Sequence, residues 1–108
     1  MSLSDKICNY LNEHSFEQFS AKKIEKHFFL SYKHMSAIFK KEKGMTIQQY
    51  HNSIKMNEAA RLLRSTLLSV GEIGEKVGFS DILYFSRCFS SFHGISPTAY
   101  RKRCRYEY

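Results

Sequence analysis

The feature that most constrains this 108-residue chain is an internal repeat. The same order of helix-capping serine, apolar residues, stop glycine and tyrosine occurs twice, at offsets of 49 and then 50 residues. The recurring residues are Ser20, Ile24, Ser31, Met35, Ser36, Phe39, Gly44 and Tyr50 in the first copy, and Ser69, Ile73, Ser80, Phe85, Ser86, Phe89, Gly94 and Tyr100 in the second. The offset increases by one residue within a turn, where insertions are tolerated. The repeat indicates one supersecondary unit used twice.

Local signals predict an all-α fold of seven helices. Only five Gly and one Pro leave little room for the turns of an all-β chain, while seven Tyr and nine Phe can form a core. The predicted helices begin at the caps Asp5, Ser20, Ser31, Thr46 and Ser69, at about Asp81, and at Ser96-Pro97. Their predicted ends are near residues 14, 28, 43, 65, 77, 93 and 105. The organisation expected is one domain, 1–108, with a first unit at 5–44, a long linking helix at 46–65 and a second unit at 69–104. The aromatic residues Phe16 and Phe19 are expected to be buried.

The predicted helix at 81–93 has two faces of different chemistry. Its apolar face carries Phe85, Cys88, Phe89 and Phe92. The opposite face carries Leu83, Ser86, Arg87 and Ser90, which are mostly small or polar. A helix built in this way can pack a core and still enter a DNA major groove. The alternative interpretation is an ordinary amphipathic helix.

The net charge favours a polyanionic partner, and the sequence argues against a metal site, a membrane-spanning helix and an enzyme. The net charge is +7, spread over both halves of the sequence, which suits nucleic acid or an anionic membrane surface. The three cysteines have no CxxC spacing and the histidines no HExxH spacing, so reduced thiols and no metal or other cofactor are expected. No apolar run approaches the roughly 18 residues of a spanning helix. The sequence shows no phosphate loop, no paired-carboxylate site and no nucleophile with its base. We therefore do not expect an enzyme.

Several sequence motifs resemble the DNA-binding domain of the AraC/XylS family of bacterial transcription regulators. The resemblance covers the chain from about Asp5 to Arg103. Its motifs are IGEKVGFS (73–80), YFSRCF (84–89), GISP (94–97) and YR (100–101), with FKKE (39–42) and GMT (44–46) in the first copy. The resemblance implies two helix-turn-helix units joined by one long helix. A linker of about 20 residues spans roughly 30 Å, close to the 34–36 Å of one DNA turn, so successive major grooves are within reach.

The repeat and the resemblance together predict the DNA contacts. The residues predicted to read bases are Lys33, Ser36, Ala37, Leu83, Ser86 and Arg87. Those predicted to contact phosphate are Ser31, Lys40, Lys41, Ser80, Ser90 and Arg101. Arg87 is the strongest of the base readers, because a guanidinium can bond guanine bidentately. A phosphate contact or an ion pair with Asp81 is the alternative for its side chain.

The first copy departs from the family pattern at three positions. Glu25 stands where a small residue is usual, Phe29 stands where the turn usually has glycine, and Ala37 stands at the place of Arg87. A bulky residue is strained at positive φ, so the first turn is expected to be opened or reshaped. We therefore expect the second unit to carry most of the sequence discrimination.

The resemblance also implies partners and a setting for the chain. Double-stranded DNA and RNA polymerase are the expected partners of a cytoplasmic regulator, with activation the expected outcome and no membrane involved. The chain is expected to be a fragment of a longer protein that carries a separate sensing or receiver domain, and to be monomeric by itself. The rival interpretation is a basic helical module that binds a protein partner.

Overall fold

A computed structural model describes residues 1–106, and every regular element in that range is a helix. The helices are α1 (Leu3–Glu13), α2 (Ala21–Phe28), α3 (Tyr32–Lys43), α4 (Ile47–Ser65), α5 (Val70–Lys76), α6 (Ile82–His93) and α7 (Pro97–Tyr106). The predicted all-α fold with seven helices is confirmed for the part of the chain that is described. The chain divides into two compact units between Asn52 and Ser53, inside α4.

Short-range hydrogen bonds begin the helices where the sequence predicts them. Five predicted serine and threonine caps accept the backbone N–H of the residue three positions later; they are Ser20, Ser31, Thr46, Ser69 and Ser96. Thr46 and Gln49 form a reciprocal capping box at the start of α4, and Ser69 and Glu72 form another at α5. Each such cap stabilises its helix by about 0.5–2 kcal/mol.

One predicted helix start and one predicted pairing of the repeat need correction. The cap of α1 is Ser2, whose Oγ accepts the N–H of Asp5, so the helix begins earlier than predicted. The carboxylate of Asp5 instead accepts a hydrogen bond from Lys43 Nζ at 2.8 Å. At α6 the cap is Asp81, which lies 50 residues after the cap Ser31. The repeat therefore pairs Ser31 with Asp81 and not with Ser80, because the second turn is one residue longer.

The first unit consists of α1, α2, α3 and the start of α4. Helix α3 packs against α1 and α2. The side chains buried here are Ile7, Leu11, Ile24, Met35, Phe39 and Ile47. Tyr50 packs edge-on against Phe39 with ring centroids 5.9 Å apart. Phe16 is 43% exposed, so its predicted burial was wrong, whereas Phe19 is half-buried against Tyr32.

The second unit consists of the rest of α4 with α5, α6 and α7. Its core comprises Met56, Ala59, Ala60, Leu62, Leu63, Ile73, Val77, Phe79, Phe85 and Phe89. Tyr100 packs edge-on against Phe89 with centroids 5.5 Å apart, as Tyr50 does in the first unit. The repeat thus reproduces a core contact as well as the helices, and α3 and α6 are each held by one buried face.

The two turns contain the same left-handed residue despite their different sequences. Phe29 has φ 57° and is the C-cap of α2, and Gly78 has φ 95° at the equivalent position. The expectation that Phe29 would open the turn was therefore wrong, because the residue adopts the strained conformation instead. Its side chain is 91% exposed and gains little by packing. The strain costs about 1–2 kcal/mol for a residue with a Cβ.

Glu25 and Gly74 meet different neighbours at equivalent positions of α2 and α5. A Cβ on Gly74 would lie 3.1 Å from Phe85 Cδ2, inside the buried core. In the first unit Met35 occupies the position of Phe85 and Glu25 is accommodated. Glu25 Oε2 accepts a hydrogen bond of 2.6 Å from the backbone N–H of Tyr32, which is the first residue of α3. A carboxylate there also stabilises the positive end of the helix dipole.

Candidate nucleic-acid interface

The outward face of α6 is open along its length. Leu83 is 70% exposed and Arg87 is exposed, while Ser86 and Ser90 are half-buried. On the opposite face Phe85 is fully buried. The two predicted faces are therefore present, but Phe92, which was predicted to lie on the apolar face, is 48% exposed at the last turn of the helix.

The guanidinium of Arg87 makes no hydrogen bond or ion pair with any residue of the described range 1–106. The carboxylate of Asp81 is used elsewhere, because its Oδ1 accepts the N–H of Leu83 at 2.9 Å and of Tyr84 at 3.3 Å. The predicted alternative, an ion pair between Arg87 and Asp81, does not form. The charge of Arg87 remains available to a partner.

The outward face of α3 borders an open groove. Lys33, Ala37 and Lys40 are exposed on this helix, and Ser36 is half-buried. The groove is lined by Tyr32, Ser36, Ala37, Lys40, Lys41, Thr46 and Gln48. Two predicted base readers and two predicted phosphate contacts of the first unit therefore share one concave surface.

Most cations on the outward faces of these two helices have no ion-pair partner within residues 1–106, unlike several other cations of the chain. Lys33, Lys40 and Lys41 form no ion pair within the part of the chain that is described. Lys43, next to them in sequence, pairs with Asp5, and the hydrogen bond from Lys43 lowers the pKa of the Asp5 carboxyl. The unpaired cations lie on the faces that were predicted to contact DNA.

Arg101 is held by its own unit. Its Nε donates to the carbonyl of Leu63 at 3.1 Å and its Nη2 to that of Thr66 at 3.2 Å. In the first unit His51 has the equivalent position, and its Nε2 lies 3.1 Å from the carbonyl oxygen of His14, the C-cap of α1. Both residues thus secure the C-terminal end of the helix that begins their unit. We therefore give Arg101 a structural role.

The predicted serine contacts have different surroundings. Ser31 is exposed, and its Oγ already accepts the N–H of His34, which leaves the hydroxyl proton for a phosphate. Ser80 is exposed in the second turn. Both remain predictions as phosphate contacts.

Three residues of the groove were not predicted from the sequence. Tyr32, Thr46 and Gln48 line it, the last two from the cap and first turn of α4. The repeat carried a usable signal, since Gln48 is equivalent to Thr98, and both are polar and exposed in the first turn of a helix. An exposed helix start supplies backbone N–H groups that suit phosphate.

Within 1–106 no group of three or more His, Cys, Asp or Glu side chains could hold a metal ion. Over the same range no helix is long and apolar enough to cross a membrane. Cys8, Cys88 and Cys104 are free thiols.

A family model described as a helix-turn-helix domain matches residues 24–103. The arabinose operon regulatory protein of Escherichia coli is 31% identical over 98 residues, which is 90% of this chain and 34% of that protein. The transcriptional activator RhaR of Pectobacterium carotovorum is 38% identical over 79 residues, 73% of this chain and 28% of that protein. The chain thus spans about a third or less of the length of the curated relatives it matches.

A solved structure shares the whole arrangement of helices. The C-terminal domain of the two-component response regulator yesN from Fusobacterium nucleatum is 35% identical, with a TM-score of 0.84. The match covers 90% of this chain and 95% of that domain. The fold of this chain is therefore shared with the C-terminal domain of that response regulator over almost the full length of the domain.

Proposed function

This chain belongs to the AraC/XylS family of transcription regulators, and we propose that it binds double-stranded DNA sequence-specifically through α3 and α6 to regulate transcription. The observation that carries the proposal is the pair of outward helix faces. Each of the two helices has one face buried in a core and an exposed face with at least one cation that forms no ion pair within residues 1–106. In helix-turn-helix proteins the second helix of the unit enters the major groove.

The unpaired cations determine how binding should respond to salt. Lys33, Lys40, Lys41 and Arg87 supply four positive charges on the two proposed recognition helices. Each phosphate neutralised releases condensed counterions, with a slope of about −0.9 in log K against log salt concentration. If all four contact phosphate the slope is about −4, and each one that reads a base instead lowers that magnitude.

We propose that the two recognition helices engage successive major grooves of one duplex. The support is the length of α4, an uninterrupted helix of 19 residues. Such a helix rises about 28 Å, near the 34–36 Å repeat of DNA. A bound site would then contain two short motifs about one helical turn apart.

The relatives support a proposal for the role of the full-length protein. One relative is named as a transcriptional activator and a structural neighbour as part of a response regulator. We propose that this chain acts in the cytoplasm as the DNA-binding part of an activator that meets RNA polymerase and carries a separate sensing or receiver domain. We propose further that it acts by binding, without catalysis, and that it is a monomer when isolated.

The test is selection of bound duplexes from a random pool, followed by a salt titration on the enriched site. We expect an enriched sequence and a steep inverse dependence on salt. Lys40→Ala should reduce affinity for all duplexes about equally and lower the slope by about 1. Lys6→Ala is the matched control, because Lys6 is an exposed lysine of α1 and belongs to neither recognition helix. Salt-insensitive binding without sequence preference would instead support the protein-interaction module.

A further inference from the structure

We infer that Leu83 recognises the 5-methyl group of a thymine, within two base pairs of the guanine proposed for Arg87. This inference rests on the proposed DNA-binding function and names one base that the second unit reads. Leu83 is an apolar residue on a helix face that is otherwise polar. Leu83 is 70% exposed, whereas Phe85, two residues later on the other face, is fully buried.

The position of Leu83 is fixed at the start of the recognition helix. It is the second residue of α6, and its backbone N–H donates to Asp81 Oδ1 at 2.9 Å. The capping bond holds the first turn, so the side chain projects from an ordered backbone. Residues in the first turns of a recognition helix contact base edges.

The chemistry of leucine leaves one favourable base contact. Its side chain has no hydrogen-bond donor or acceptor, so it can bond neither phosphate nor the polar edge of a base. In the major groove thymine alone presents a methyl group, which apolar side chains contact. Burying Leu83 against that methyl removes apolar surface of both partners from water.

The spacing between Leu83 and Arg87 predicts the position of the thymine relative to the guanine. It follows Leu83 by four residues on the same face, which is a rise of about 6 Å along the helix. Adjacent base pairs are about 3.4 Å apart, so the two side chains reach positions one or two base pairs apart. The second unit would therefore read a thymine close to a guanine.

The first unit has the opposite arrangement at these positions. Lys33 is equivalent to Leu83 and Ala37 to Arg87, so the cation comes first and the apolar residue second. No apolar side chain as large as leucine is present on the outward face formed by Lys33, Ser36, Ala37 and Lys40. Methyl recognition by a long apolar side chain is thus specific to α6.

The experiment uses the 108-residue chain and the site enriched from a random pool. Each thymine is replaced in turn by deoxyuridine, which lacks only the 5-methyl group. One replacement should weaken wild-type binding about fourfold, the value of one buried methyl. Leu83→Ala should bind the thymine and deoxyuridine sites equally. Leu67→Ala, which truncates a leucine that is 88% exposed before α5, should keep the fourfold difference.

Replacement of single guanines by 7-deazaguanine locates the Arg87 contact in the same site. The guanine is the one whose replacement weakens wild type but not Arg87→Ala. A sensitive thymine farther than two base pairs from it would overturn the inference, as would equal thymine-to-deoxyuridine losses in wild type and Leu83→Ala. A pool with no enriched sequence would overturn the DNA-binding proposal itself, which separates the two failures.

Discussion

The two helix-turn-helix units use equivalent positions for different purposes. Gly74 lies against the buried ring of Phe85, whereas Glu25, its equivalent, hydrogen-bonds the start of α3. The second turn has glycine at its left-handed residue, whereas the first has the exposed and strained Phe29. A repeat therefore preserves backbone geometry more strictly than it preserves the side chains that support it, because several side chains can stabilise the same backbone.

The largest expected effect comes from moving the residue of the first unit into the second. Gly74→Glu should lower the free energy of unfolding by about 3 kcal/mol, because the new side chain meets Phe85 and buries a carboxylate. The reverse change, Glu25→Gly, should cost about 1.5 kcal/mol through the lost hydrogen bond and helix propensity. Urea denaturation measures both values.

The matched control for this exchange is Glu75→Ala. Glu75 neighbours Gly74 on α5 but is exposed, so the change should alter stability by less than about 0.5 kcal/mol. If neither exchange lowered the free energy of unfolding by more than the control does, the two positions would tolerate the same side chains, contrary to the comparison.

The next effect concerns DNA binding. Arg87→Ala should weaken binding to the selected site by about 2 kcal/mol and relax preference at one base pair. Lys33→Ala should cost less and affect all sequences more evenly, because we expect the first unit to add mainly charge. Binding measured against a panel of single-base variants separates the two results. Equal, sequence-dependent losses from both changes would end the hypothesis that the second unit discriminates more.

A buried lysine also distinguishes the units. Lys55 is only 4% exposed and its Nζ lies 5.2 Å from the centroid of the Phe79 ring, whereas its equivalent in α1, Lys6, is exposed. Burial lowers the pKa of Lys55. Lys55→Met should therefore stabilise the protein by about 1.5 kcal/mol at neutral pH. The reason is that the cost of desolvating the charged amine exceeds the stabilisation from the cation–π contact. Lys6→Met should have almost no effect.

The stability difference between Lys55→Met and the wild type should depend on pH in one direction. The folded state holds the Lys55 proton more weakly than the unfolded state, where a lysine titrates near pH 10.4. Stability rises with pH wherever the unfolded state binds more protons. The advantage of Lys55→Met over wild type should thus be full below the folded pKa and shrink as pH rises towards about 10.4. A difference that stays constant up to pH 10 would show that Lys55 is not destabilised by burial.

The smallest effect is expected at the two turns. Phe29→Gly should raise the free energy of unfolding by about 1 kcal/mol, because glycine removes the left-handed strain and little apolar contact is lost. Gly78→Ala should lower it by a similar amount. Thermal denaturation of both variants compares the turns directly. A destabilising Phe29→Gly would mean that the exposed ring contributes to folding.

Much of the fold was predictable because its signals are local. The serine caps, the stop glycines and the faces of α3 and α6 each depend on residues within a turn or two of one another. The start of α1 was misplaced because Ser2 and Asp5 are both good cap residues. The repeat placed Ser80 against Ser31, since sequence similarity alone does not show which residue accepts the first N–H groups of α6.

The candidate site was predictable in outline only. The outward stripe of α6 followed from helical periodicity, but the groove lined by Thr46 and Gln48 joins the start of α4 to α3. Arg101 has a basic side chain that suits phosphate equally well in sequence, yet its guanidinium bonds two carbonyls more than 30 residues earlier. Contacts between residues so distant in sequence have no periodic signal.

The sequence by itself determined the duplicated unit, the seven helices and the face that each recognition helix turns outward, since caps and periodicity act over short stretches. Only the tertiary structure decided which cations are unpaired, why Glu25 and Gly74 differ, and that Phe29 adopts a left-handed conformation. Those outcomes depend on how each unit packs, because pairing, burial and strain are properties of neighbours in space. Arg87 has no partner within residues 1–106 for that reason, and Arg101 has two.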